Sequence, residues 1–132
     1  MDTTTIELTA CTIHSVTVDG DAVRVRLEPA YLVKTMTGST ERTRWRQSGE
    51  LVFGAAELEG DLPPLPARCA GGDVGENVYT YRDMIPVPLR SRGHARCDLR
   101  VDGSDRHVKV SGHSVELVME AVPKYMEHIR PG

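Results

Sequence analysis

Val16-Thr17-Val18-Asp19-Gly20-Asp21-Ala22-Val23-Arg24-Val25-Arg26-Leu27 is the stretch that decides the fold class. Val16 and Val18 flank Thr17. After Asp19-Gly20-Asp21, the residues Val23, Val25 and Leu27 alternate with Arg24, Arg26 and Glu28. Two period-two runs about an Asp-Gly turn specify a β-hairpin with one apolar and one polar face. Valine and threonine, both β-branched, carry much of the apolar and semi-apolar content, whereas the chain has one Trp, one Phe and four Tyr.

The same pattern extends in both directions. Upstream, Ile6, Leu8 and Ala10 alternate with Glu7 and Thr9. Downstream, Pro29 lacks a ladder donor and is expected to end the strand or push it to an edge. Tyr31 to Met36 resumes an extended run, Thr37 to Glu41 reads as a loop, and Arg42 to Trp45 starts a further strand. Ser48-Gly49 is expected to turn the chain into Leu51-Val52-Phe53. The region 59–76 holds Gly60, Pro63, Pro64, Pro66, Gly71, Gly72 and Gly75, and reads as one long Pro/Gly-rich surface loop. Val78 to Tyr81 is strand-like, and the alternating prolines of Met84-Ile85-Pro86-Val87-Pro88-Leu89 indicate an edge strand or polyproline segment. Ala95, Cys97, Leu99 and Val101 alternate with Arg96, Asp98 and Arg100, then Asp102-Gly103-Ser104-Asp105 turns and Val108 and Val110 return. Gly112 is expected to bulge or break that run before Val115, Leu117 and Met119 continue it. Pro123 can take the first position of a short C-terminal helix, with Val122, Met126 and Ile129 along one face.

The 132 residues, 39% hydrophobic and 27% charged with net charge −3, suit one domain spanning 1–132. That balance excludes a disordered tail or a histone-like basic protein. No apolar run reaches the ~18 residues that span a bilayer, and Met1-Asp2-Thr3-Thr4-Thr5 lacks a basic start, so no membrane association and a cytoplasmic setting are expected. Cys11, Cys69 and Cys97 are an odd number without a Cys-x-x-Cys pair, as in a reducing compartment, and read as small buried hydrophobes.

Catalytic motifs are absent from the sequence. Ser111-Gly112-His113-Ser114 lacks the second glycine of a nucleophile elbow, and Gly71-Gly72-Asp73-Val74-Gly75 lacks the lysine of a phosphate loop. Cys11 with His14, and His94 with Cys97, are two Cys/His pairs that could make a tetrahedral zinc site if they met. Positions three apart on a strand face opposite sides, so surface histidines and buried thiols are the plainer reading. The Asp19/Asp21 and Asp102/Asp105 pairs are explained by turns rather than calcium. Arg42, Arg44 and Arg46 share one face of an extended chain, with Trp45 on the other, and Arg24 and Arg26 form a second row. A basic strip beside an aromatic suits single-stranded nucleic acid. Glu28, Glu41 and Glu50 are interleaved, so cross-strand Arg–Glu pairing is the plainer reading.

Two stretches carry a resemblance. Val16 to Leu27 resembles the first motif of the Sm-like family of small RNA-binding barrels, an apolar strand, a glycine turn and a second alternating strand. Val108-Lys109-Val110-Ser111-Gly112-His113-Ser114-Val115 resembles its second motif, two short strands meeting at a glycine. Glu28-Pro29-Ala30-Tyr31 stands where the family pairs Asp with Asn, and Ser111-Gly112 where it has Arg-Gly, so its RNA contacts are not carried over. The resemblance implies a strongly bent small barrel.

The expected fold is therefore all-β: a single antiparallel barrel, Sm- or SH3-like, or a β-sandwich, of about seven to nine short strands. The expected function is a non-enzymatic binding or interaction module without a cofactor, forming a homo-oligomer (dimer or ring) through edge strands. The alternative is an Sm-like RNA or single-stranded nucleic-acid binder using Arg42, Arg44, Arg46, Trp45, Arg24 and Arg26. A metal-dependent hydrolase ranks third.

Overall fold

The computed structural model describes residues 2–38 and 40–129. Met1, Ser39 within the expected Thr37–Glu41 loop, and Arg130, Pro131 and Gly132 lie outside the described residues. The strands are β1 (Thr3–Glu7), β2 (Thr12–Asp19), β3 (Ala22–Thr35), β4 (Arg42–Gly54), β5 (Glu57–Glu59), β6 (Ala67–Glu76), β7 (Tyr79–Arg82), β8 (Met84–Val87), β9 (Arg90–Val101) and β10 (His107–Ile129). They form one ten-stranded sheet, all pairs antiparallel, with the path β2-β6-β9-β10-β4-β3-β1-β8. β5 adds to β10 and β7 to β6. β2 also pairs β3, so the ladder path returns on itself; its contact to β6 is only Thr12 opposite Arg68 and Ile13 opposite Ala67. Among the described residues no helix is long and apolar enough to cross a membrane.

The deciding hairpin forms as read. Asp19 pairs with Ala22 across Gly20-Asp21, and Gly20 takes φ +61°, which a side chain would oppose. Val23, Val25 and Leu27 are fully buried while Arg24 and Arg26 stay at the surface. The buried residues form one cluster running from Ile6 to Leu117, with Phe53 its largest member. At roughly 25 cal/mol per Å² of apolar surface, these side chains supply the main drive for folding. Cys11, Cys69 and Cys97 are free and buried within it. Pro86 lies in β8, which ends the sheet path, as its proline pattern requires. The shift at Gly112/Ser114 supplies the expected bulge.

Five expectations are corrected. There are ten strands rather than seven to nine, and the longest are not short: β10 has 23 residues, β3 14 and β4 13. Pro29 neither ends β3 nor sits at an edge; the missing N–H falls at a register shift between Leu27 and Ala30, where the ladder is already interrupted. Ser48-Gly49 does not turn. Gly49 continues β4 opposite Met119, where a Cβ would crowd the Met119 sulfur, so that glycine answers packing. The region 59–76 is not one loop, because Ala67–Glu76 forms β6 between β9 and β7. The C-terminal helix on Val122, Met126 and Ile129 is strand instead: β10 runs to Ile129 and pairs β4 through Ile129 opposite Arg42. Pro123 falls inside a bulge between Glu120 and Lys124.

Candidate functional site

β3, β4 and β10 run past the core and carry the arginine rows with them. Arg44 bridges Glu7 on β1 at 3.1 Å and Glu127 on β10 at 2.6 Å. Arg26 gives two hydrogen bonds to Glu120, at 2.9 and 3.0 Å, and one to Glu28 at 2.9 Å, with Glu50 4.0 Å away. Those hydrogen bonds hold the carboxyls of Glu28 and Glu120 below the usual carboxylate range. Arg24, Arg42 and Arg46 have no hydrogen-bond or ion-pair partner among the described residues. Trp45 is half-buried against the core and donates its indole N–H to Thr43 Oγ1 at 2.8 Å. One edge meets Tyr125 with ring centroids 5.4 Å apart, and the Lys34 ammonium lies 4.2 Å from its ring centre. The extended chain thus separates Trp45 from Arg44 and Arg46 as expected, and commits Arg26 and Arg44 to carboxylates.

A concavity of about 580 Å³ crosses β5, β6, β7, β9 and β10. It is polar and internally paired. Arg82 bridges Asp73 at 3.1 Å, His107 Nδ1 lies 2.6 Å from Asp98 Oδ1, Ser111 donates to Glu59 and Arg96 to Thr80. Asp73 and Asp98 face each other in register, with Arg82 paired to the first and His107 in contact with the second. Ser111 Oγ is spent on Glu59, and His107 contacts no hydroxyl among the described residues. The site lacks the nucleophile–base contact of a hydrolase triad.

The four zinc candidates do not converge. Cys11 and Cys97 are buried, and burial pushes both thiols up to about 12; His14 and His94 are exposed. Among the described residues no three His, Cys, Asp or Glu side chains come together as metal ligands.

The C-terminal part of β10 is what sequence reasoning missed. The register of β10 with β9 ends at Glu116 opposite Arg90, and the Leu117 N–H donates to Leu89 at 2.9 Å. From Val118 onward β10 pairs only β4, so its other edge is open among the described residues. Val118, Val122, Tyr125 and Met126 are exposed along it, Val122 at 79%. β8, which ends the sheet path, carries Pro86 on its short strand. The alternation of Val115, Leu117 and Met119 announced the strand, but Pro123 masked its continuation.

No family model, no curated protein and no solved structure matches this chain.

Proposed function

We propose that the chain is a non-enzymatic interaction module that self-associates along the open edge of β10. The observation that carries this reading is the run of exposed apolar side chains, Val118, Val122, Tyr125 and Met126, on an edge with no ladder partner among the described residues. Open strand edges recruit further strands, and exposed apolar side chains add affinity. Pro123 and the bulge remove part of the backbone pairing, so the side chains carry much of the contact. We read the returning ladder path as a distorted barrel, with β1 and β8 as an added flap. A cytoplasmic setting is supported by three buried, unpaired cysteines.

Sedimentation velocity across a concentration series tests the proposal. Wild type is expected to form a dimer or ring, and Val122→Glu, at an exposed position, is expected to be a folded monomer. A wild type that stays monomeric into the high-micromolar range overturns it. The Sm-like nucleic-acid reading stands second, on Arg24, Arg42 and Arg46, whose charges no carboxylate contacts among the described residues. Oligonucleotide quenching of the single tryptophan, Trp45, checks that reading.

A further inference from the structure

We infer that Arg46, Lys124 and Ser48 form an oxyanion site on the outer face of β4 and β10, taking a phosphate-sized group. The inference does not rest on the edge association, because a monomer contains the whole site.

Lys124 stands directly opposite Arg46 in the β4–β10 register. Like charges in that position repel, and an antiparallel pair ordinarily avoids them. Neither side chain has a hydrogen-bond or ion-pair partner among the described residues. The carboxylates nearest in register are Glu127, opposite Arg44 and paired with it, and Glu120, opposite Ser48. Both its oxygens are turned onto Arg26, which also takes Glu28. Two guanidiniums, Arg26 and Arg44, therefore take the local carboxylates, while two adjacent cations have none among the described residues.

The backbone opens a space at this point. Between Glu120 and Lys124 the register shifts, and Ala121 takes φ +62°, a left-handed conformation seldom kept by a residue with a Cβ. Gln47 holds the bulge by donating its Nε2 to the Ala121 carbonyl at 2.9 Å. The result is a concavity of about 290 Å³ lined by Arg46, Ser48 and Lys124 together with Gln47, Ala121 and Val122. That volume lies at the small end of ligand sites, and no aromatic ring lines it, so it suits an oxyanion head group rather than a base or sugar. A guanidinium fork, an ammonium and a hydroxyl are the donors that phosphate oxygens accept.

The test is a ¹H–¹⁵N NMR titration with inorganic phosphate against chloride at constant ionic strength. Saturable shifts are expected at the Ser48, Ala121, Val122 and Lys124 amides. Lys124→Ala should weaken binding about tenfold or more, Lys124→Arg should retain it, and Arg92→Gln, at an exposed position on β9, should leave it unchanged. Arg26→Gln should also weaken it, since the released Glu120 then competes for the cations. Unsaturable shifts, or shifts of equal size around all surface cations, overturn the site. So does undiminished binding in Lys124→Ala. Parallel titrations with glycerol 3-phosphate and a short oligouridylate identify the source. Tighter binding of the monoester assigns a small phosphorylated ligand, and tighter binding of the oligonucleotide a nucleic-acid backbone.

Discussion

At Gly72 the backbone takes φ +143°, and a Cβ there would overlap the Asp98 carbonyl oxygen and crowd Leu99 Cα. Neither obstacle is the end of a flexible side chain. Gly75, three residues on in the same strand, differs: its φ is not in the positive region, and the nearest atoms a Cβ would meet are those of the Arg96 guanidinium, which lies across it. Gly72→Ala should therefore cost about 3 kcal/mol from backbone strain and overpacking together. Gly75→Ala should cost less than about 1.5 kcal/mol, because Arg96 can swing away. Urea unfolding of the two variants checks the order; equal midpoints would refute it. Proline and glycine content made this region look like a loop. The glycines are there because arginines and a neighbouring strand lie on them.

Among the elements, β3 and β10 are joined across β4 by Arg26 with Glu120, supported by Glu28. Both carboxyls are held below their ordinary value of 4.5, first by hydrogen bonds from Arg26. The sign follows from linkage: a depressed folded-state pKa adds stability that is fully present above the unfolded value and is lost as pH falls through the folded one. Arg26→Gln should therefore lower the midpoint at neutral pH, where that contribution is fully present, and converge on wild type as pH falls through the acid range, which flattens the acid limb. Thermal melts at a series of acidic pH values measure this, and parallel limbs for the two proteins would exclude the role. The strand assignment of residues 122–129 belongs to this scale as well. Val122, Met126 and Ile129 satisfy helical spacing, but β4 offers Arg42 to Arg46 as an exposed partner ladder, and pairing outweighs a weak local preference.

For the whole molecule, the three cysteines report on the core as a unit. Cys11 lies just before β2, Cys69 in β6 and Cys97 in β9, and all three belong to the same buried cluster. With Cys11 and Cys97 pushed up to about 12 by burial, only about 10⁻⁴ of either is thiolate at pH 8, before access is counted. A thiol reagent should thus label the native protein negligibly and label all three together as urea unfolds it. Stepwise labelling, one cysteine well before the others, would show that part of the sheet opens independently.

What the sequence determined by itself was local: β-branched alternation and Asp-Gly turns specified the hairpins, because side-chain period and turn chemistry act over a few residues. It also set the buried thiols and the opposed placement of Trp45 and the arginines of β4. Only the tertiary structure decided which strands share a ladder, that Pro29 and Pro123 sit at bulges, and that 67–76 is a strand under arginine side chains. It also decided which cations keep carboxylate partners and which edge stays open. Those outcomes depend on pairing between residues far apart in the chain, such as Arg26 with Glu120, and no local pattern encodes that choice.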